Sequence, residues 1–518
     1  GDFSKSPRRA ESPSRAARPS PPAEGPLSWV RRALLDDAVS ALDIGARSMG
    51  WGWQMEQTMD FISSLNPFAD EEGAREKLHV HFGAGRLGFG LVLPAIERSG
   101  QPYVILNRPS RAWEPLLGDG AGGGASVSVQ INGVATGGLR VVTEENIRAA
   151  PGGLQECVRR GREEGARGFL VLSVDPALVT PLLSAATSFS CAIGKAISDV
   201  LVPVLSALPD REDEERPVLY ACENDHNAVE LTQFALRRKI EAIPCMVDRI
   251  CVDISVSPDA RHVMVDAEDH EGSIVVLNTP VGEQTLPLDG DEVHVPEGDQ
   301  EARYLYRKKL MTVNGMHTVL AFTTLADHAM KQGPAFQPPE ECADLPLLTR
   351  EQMTPEQYGV VWSWAVAQVL VLLWEHGSRT MMRVHRCPTE SALVDHMLEH
   401  ARTTLERFFQ VDDSTARVLG GGVNLRYEGR LLPVHDTVVS ELFNRGWAPG
   451  CAEELLLERA GLTFEGLTES LGELVDLARP FAAVDKRVIA ARELERAVKE
   501  EKHASRQLEA SRRQQAAG

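Results

Sequence analysis

Lys309, Asn314 and His317 stand together in the run Lys309-Leu310-Met311-Thr312-Val313-Asn314-Gly315-Met316-His317. If that run is helical, Asn314 and His317 share a face and Lys309 lies near its edge, so three polar groups can line one side of a cleft. A lysine desolvated there loses its proton more easily and can serve as a base near neutral pH, while Asn and His donors can hold a developing alkoxide. Singly, each residue is ordinary: Lys is usually a surface charge, Asn often a helix cap, and a single His more often a core residue with its hydrogen bonds satisfied.

A second constellation, Gly83-Ala84-Gly85-Arg86-Leu87-Gly88, follows an apolar run that reads as a strand. Its glycines permit a tight turn and close backbone approach, and the helix start supplies N–H groups to a pyrophosphate. Gly83, Gly85, Arg86, Leu87 and Gly88 are therefore the expected dinucleotide contacts. With 43 glycines in the chain such spacing also arises by chance, and only its place at the first strand of an alternating pattern favours a binding site. The carboxylate that would take the ribose hydroxyls of NAD is missing, and Asn107 and Arg108 occupy its place, with Arg111 three residues on. An Arg beside a neutral Asn suits a 2′-phosphate, so the cofactor is NAD or NADP with a lean to NADP. The plainer alternative is arginines facing solvent on a loop.

The elements that must position these groups alternate. Leu78 to Phe82, Tyr103 to Leu106, Phe169 to Val174 and Val218 to Cys222 read as strands separated by helical stretches, which predicts a parallel sheet with crossover helices. Ala125 to Val142 alternates with period two around Asn132-Gly133 and reads as an inserted hairpin, and a second strand-rich patch covers about Ile254 to Val295. After Tyr304 the pattern is helical, including the capping box Thr354-Pro355-Glu356-Gln357. The apolar run Val360 to Trp374, interrupted by Ser363 and Gln368, is too short to cross a bilayer and reads as a buried core helix. The expected organisation is an extension over 1–76, disordered then helical, an α/β domain over 77–300, a helical domain over 301–484 and a charged helical tail over 485–518.

The chain has 518 residues and a formal charge of −20, which repels phosphate backbones and anionic lipid, so neither nucleic acid nor membrane is an expected partner. Its eight cysteines are scattered with no C-x-x-C pair, which disfavours a disulfide framework and a zinc knuckle. His396 and His400 lack the Glu of a zinc-protease helix and read as an exposed face; His79 and His81 read as packing beneath the Gly-rich turn. No metal is expected, and no G-x-S-x-G supports a Ser nucleophile. A cytoplasmic location is expected, with an organelle as alternative if the Arg- and Ser-rich start is a transit peptide.

Four motifs carry a more specific likeness. His81 to Gly90 (HFGAGRLGFG), Cys222-Glu223-Asn224, Met246 to Ile250 (MVDRI) and the K-x4-N-x2-H of Lys309 to His317 occur in the order of the polyol-specific long-chain dehydrogenases, which the chain resembles over about residues 77–480. The resemblance implies a Rossmann dinucleotide-binding domain followed by a mostly α-helical C-terminal domain, and metal-independent hydride transfer between a polyol and a nicotinamide. It further implies that Lys309 is the general base, that Asn224 and Asn314 hold the alkoxide, and that Asp248 and His317 orient substrate hydroxyls, with Asp248 also tuning the lysine. A substrate-binding Arg in an R-F-x-N segment matches Arg407-Phe408-Phe409-Gln410, where Gln replaces Asn.

The implied partner is a small polyol or sugar phosphate, and the chain would be a monomer or homodimer. Mannitol 1-phosphate and fructose 6-phosphate are the first-choice pair, with Arg303, Arg307, Lys308 and Arg383 as phosphate candidates. Mannitol 2-dehydrogenase and hexuronate reductase activities are alternatives, as are a catalytically silent dinucleotide sensor or scaffold and a chain assembled through its terminal helices.

Overall fold

Runs of buried apolar residues too short for helices build one twelve-stranded sheet in the computed structural model, which describes residues 77–485 except 118–124, 213–214, 279–284, 334–343, 421 and 445–450. The readings of 1–76 and of the tail beyond 485 lie outside the described residues. The strands are β1 (His79–Phe82), β2 (Tyr103–Leu106), β3 (Ser126–Ile131), β4 (Val134–Thr143), β5 (Gly168–Leu172), β6 (Ser188–Cys191), β7 (Val218–Cys222), β8 (Glu241–Asp248), β9 (Cys251–Val256), β10 (His262–Ala267), β11 (Ser273–Val276) and β12 (Val293–His294).

Their order is β12-β11-β8-β7-β6-β1-β2-β5-β4-β3-β10-β9, and every pair from β8 to β4 is parallel. The order reverses between β1 and β6, as in a Rossmann fold, and opens a crevice at the carboxyl ends of those two strands. Apolar cores cover both faces of the sheet.

Neither β8 nor β6 falls in a run that reads as a strand from the sequence, and β6 escapes because its Ser188-Phe189-Ser190-Cys191 lacks an apolar run. Its serines are buried for a reason. Ser188 Oγ lies 2.9 Å from His79 Nδ1, Ser190 Oγ lies 2.8 Å from His79 Nε2 and 2.7 Å from His81 Nδ1, and His81 Nε2 reaches the Gly83 carbonyl at 3.0 Å. Burial pushes His81 down to about 4 and His79 well below its ordinary range, so both rings are neutral hydrogen-bonding struts beneath the Gly-rich turn. The hairpin forms as the Asn132-Gly133 signal requires, with φ of 50° and 79°. It extends the sheet, since β4 also pairs with β5 and β3 with β10.

The helical part begins at the Asp299–Lys308 helix and has its own core. Thr354 caps the Pro355–His376 helix by accepting from the Gln357 N–H. At 22 residues this helix is longer than its apolar run, because the capped first turn and the end at Gly377 extend it. By length and composition it could cross a membrane, yet 67% of its most apolar window is buried inside the fold, where Trp364, Val366 and Leu370 are wholly inaccessible. The seven described cysteines are all free.

Two glycines fix the turn after β1. Gly83 has φ +109°, and a Cβ there would meet Ile193 Cγ2 at 2.6 Å and the Ala192 carbonyl oxygen at 2.7 Å. A Cβ at Gly88 would strike the Gly83 carbonyl oxygen and sit 3.1 Å from His81 Nε2. Gly88→Ala is therefore expected to destabilise the fold by about 1–3 kcal/mol, read as a lower urea midpoint, and an unchanged midpoint would refute the close packing.

Candidate active site

Backbone and side chain together hold the Gly-rich turn open toward solvent. Gly83 N–H donates to the Leu106 carbonyl at 3.0 Å, and Ala84 N–H donates to Asn107 Oδ1 at 3.1 Å. Asn107 thus braces the turn from the end of β2. Facing it across the crevice, the buried Glu223 carboxylate accepts the N–H groups of Ile193 at 2.6 Å and Gly194 at 2.9 Å. Burial pushes Glu223 up to about 7, with those two N–H groups opposing the rise. In the sequence Glu223 stands only as the middle of Cys222-Glu223-Asn224, and the signal it offers is an acid directly after an apolar strand.

The crevice encloses about 1140 Å³ and is lined by Gly83, Gly85, Arg86, Leu87, Asn107, Arg108, Glu223 and Asn224 among others. At Gly85 the nearest atom to a Cβ would be the Ala192 oxygen at 3.9 Å, so the backbone is approachable there. The first N–H groups of the helix that follows have no intrahelical partner. A glycine cradle, a helix start and a volume of this size fit a dinucleotide. Of the expected contacts, Gly88 lies beneath the turn instead of on the wall, and Arg86 reaches across to the Val252 carbonyl at 2.7 Å. Arg108 is exposed at the rim, and Arg111 is exposed away from the crevice wall.

The Lys309–Gly315 segment is a π-helix, where sequence reading takes it as an α-helix. Its hydrogen bonds run from i to i+5, so five residues make about one turn and Lys309 and Asn314 come to one side. Lys309 is buried, and its Nζ donates to Oδ1 of Asn224, directly beyond β7. Burial pushes the lysine down to about 8, with Asp248 opposing and Arg430 assisting.

Asn224, Asn314 and His317 line a second chamber of about 480 Å³. Asn224, Arg417, Leu425 and Arg426 border both spaces, so the chamber opens onto the dinucleotide crevice.

His317 Nε2 lies 3.0 Å from Asp413 Oδ2, and its ring stacks on Phe408 at 4.2 Å and 6°. Asp413 is 1% exposed and also takes the guanidinium of Arg417. Burial would raise this carboxyl, but the hydrogen bonds from His317 and Arg417 outweigh it and hold Asp413 below the usual carboxylate range. Nothing in the local sequence links Asp413 to His317, because the two lie far apart along the chain; its nearby partner Arg417 gives only an ordinary i, i+4 pair.

Asp248 and Arg407 sit elsewhere than the resemblance implies. Arg407 forks onto Glu268 at 2.7 and 2.8 Å and reaches Asp248 at 3.4 and 3.5 Å, and neither residue lines the crevice or the chamber. Of the phosphate candidates only Arg307 lines the chamber, and it is forked onto Glu375 at 2.6 and 2.6 Å. Three arginines not singled out from the sequence, Arg417, Arg426 and Arg430, line it as well. His400 departs from the expected exposed face, lying 3.0 Å from Thr312 Oγ1 against the π-helix, whereas His396 is exposed. Among the described residues no group of three His, Cys, Asp or Glu side chains is placed to hold a metal.

No protein-family model and no curated protein matches the chain. Solved structures do. Mannitol 2-dehydrogenase of Pseudomonas fluorescens, in a ternary complex with NAD and D-mannitol, is 13% identical with a TM-score of 0.42, covering 83% of this chain and 96% of that one. An octopine dehydrogenase in complex with NADH and agmatine is 11% identical with a TM-score of 0.39, covering 79% and 90%. Glycerol-3-phosphate dehydrogenase of Coxiella burnetii is 11% identical with a TM-score of 0.29, covering 77% and 99%.

Asp413 tests the electrostatics. A carboxyl depressed in the folded state contributes stability above its unfolded value of about 3.9 and loses it as pH falls below that. Asp413→Asn is expected to lower unfolding free energy at pH 7 by about 1–3 kcal/mol, with the gap narrowing in urea melts near pH 3. An equal gap at both values would argue against the ionised pairing.

Proposed function

We propose that the chain is an NAD(P)-dependent oxidoreductase that interconverts a hexitol or its phosphate and the matching ketose, with mannitol 1-phosphate and fructose 6-phosphate as first-choice pair. The observation that carries this reading is the contact of the buried Lys309 ammonium with Asn224, the residue that itself borders both a crevice fit for a dinucleotide and a chamber lined by polar groups. In this reading the sheet part, 77–300, holds the cofactor and the helical part, 301–484, holds the substrate. A bound nicotinamide supplies the hydride acceptor in one direction and the donor in the other.

The chain's own groups handle the proton and the oxygen charge. Neutral Lys309 takes the proton of the hydroxyl being oxidised, a role its burial permits near pH 8. With Oδ1 of Asn224 occupied by the lysine, Nδ2 is the atom left to donate to the substrate oxygen, and the Asn314 amide borders the same chamber. Asp413 and the Phe408 stack hold the His317 ring against the chamber wall, where it can orient a further hydroxyl. Asp248, behind the lysine and tied to Arg407, acts on it through charge. The cofactor lean is toward NADP, supported by Arg108 at the rim and by a ribose position that holds Asn107 and no carboxylate.

Lys309→Ala is expected to lower kcat/KM by about 10²–10⁴-fold. Because the base must be neutral, polyol oxidation should rise about tenfold per pH unit and level off above about 8, while ketose reduction, which needs the charged lysine, should fall there. Arg108→Ala should cost NADPH about tenfold more than NADH in kcat/KM. Initial rates with both cofactors and with fructose 6-phosphate, fructose and a ketohexuronate check all three. No turnover with any of them would sink the proposal, and turnover of fructose or the uronate alone would move the substrate to the corresponding alternative.

A further inference from the structure

We infer that the chamber beside Lys309 takes a substrate bearing an oxyanion group, and that Arg426 and Arg430 form the subsite that holds it. The inference rests on the dehydrogenase reading for the identity of the chamber, and on charge balance for the rest. In a chain of net charge −20, four guanidinium groups border this one space: Arg307, Arg417, Arg426 and Arg430. Two of them are neutralised on the spot, Arg307 by its fork onto Glu375 and Arg417 by Asp413.

The other two have no carboxylate partner among the described residues. Arg426 gives Nη2 to the Gly420 carbonyl at 3.1 Å, and its buried Nε has no partner at all. Arg430 gives Nη1 to the Asn314 carbonyl at 3.0 Å and to Thr318 Oγ1 at 2.8 Å. Both are half-buried and stand four residues apart, joined by the π-turn Tyr427–Leu431. Burial, with the charge of Arg426 assisting, pushes Arg430 down to about 10.

Two cations side by side in a partly dry cavity, held by neutral acceptors only, are an arrangement that an arriving anion relieves. A guanidinium pair matches the geometry of phosphate and carboxylate oxygens. Their place in the chamber is consistent with a tether. Arg430 is bonded to the backbone of Asn314, so a group held there is joined through one residue to the amide proposed to hold the reacting oxygen. Arg426 borders both the chamber and the dinucleotide crevice, which puts the subsite at the junction where hydride transfer would occur. A neutral polyol would leave both charges uncompensated. A phosphate monoester and a carboxylate share the chemistry required, and the substrates tested separate them.

The test uses the full chain with NADH or NADPH and three ketoses that differ at one end: fructose, fructose 6-phosphate and a ketohexuronate. One anionic ketose is expected to exceed fructose in kcat/KM, and which of the two does so identifies the anion. In Arg426→Gln that preference should shrink by about 10- to 100-fold, chiefly through KM. Arg430→Lys keeps the charge without the fork and guards against a folding defect; it should shrink the preference by a smaller factor. Calorimetric titration with inorganic phosphate gives a readout independent of turnover, and binding seen in the native chain should weaken in Arg426→Gln. Equal turnover of fructose and both anions, or a preference that survives in both variants, would overturn the subsite. Failure of the dehydrogenase reading looks different: no binding of either cofactor and no turnover of any ketose, with the phosphate titration still deciding whether Arg426 binds anions.

Discussion

Burial lowers the proton affinity of a lysine and so leaves more of its neutral amine near neutral pH, and the surroundings of Lys309 are organised around that burial. The lysine projects from a π-helix near the start of the helical part, and its Nζ donates to the Asn224 amide beyond strand β7 of the sheet. Neither element alone would bury it. The dryness that lowers its proton affinity is therefore a property of the contact between the two parts, and whatever separates them would return the lysine to water and to its ordinary value.

The same dryness makes every neighbouring charge expensive, and the structure compensates for most of them by pairing. Arg407 is forked onto Glu268 and leans on Asp248, and Asp413 is shared by His317 and Arg417. Lys308, half-buried next to Lys309, is likewise pushed down to about 8 by burial, with Asp248 opposing. Around it His385, His396 and His400 are each lowered first by burial and then by the Lys308 charge, and His385 and His400 are hydrogen-bonded to Tyr304 and Thr312. Against this pattern of pairing, Arg426 and Arg430 stand out in the second chamber as guanidiniums with no carboxylate partner among the described residues.

On the sheet side the equivalent constraint is steric. The turn after β1 must pass close under Ile193 and over His81, which leaves no space for a side chain at Gly83 or Gly88. The buried His and Ser ladder between β1 and β6 supplies the floor of that turn, Asn107 braces it through the Ala84 N–H, and across the crevice Glu223 holds the loop after β6 through the N–H groups of Ile193 and Gly194. Turn, floor and braces come from separate strand ends, and the reversal of strand order at this point makes them neighbours.

Local pattern was enough for what depends on neighbours along the chain. The strands at Tyr103–Leu106 and Val218–Cys222, the Asn132-Gly133 hairpin, the Thr354 cap and the glycine turn all follow from propensity, periodicity and turn chemistry, and so does the order of sheet before helices. Lys309, Asn314 and His317 were legible as a group because four ordered motifs carry a resemblance and because their spacing suits one face. Strand β6 was hidden, since its serines look polar until the histidines they bond are brought beside them. Asp413, Glu268, Arg426 and Arg430 carry no such local signal, and nothing in the segment around Arg407 shows that it pairs with Glu268. The division has one physical cause. Secondary structure and turns are set by contacts a few residues apart, whereas the partner that neutralises or strands a buried charge is chosen by packing between segments distant in sequence. Only the tertiary structure brings those segments together.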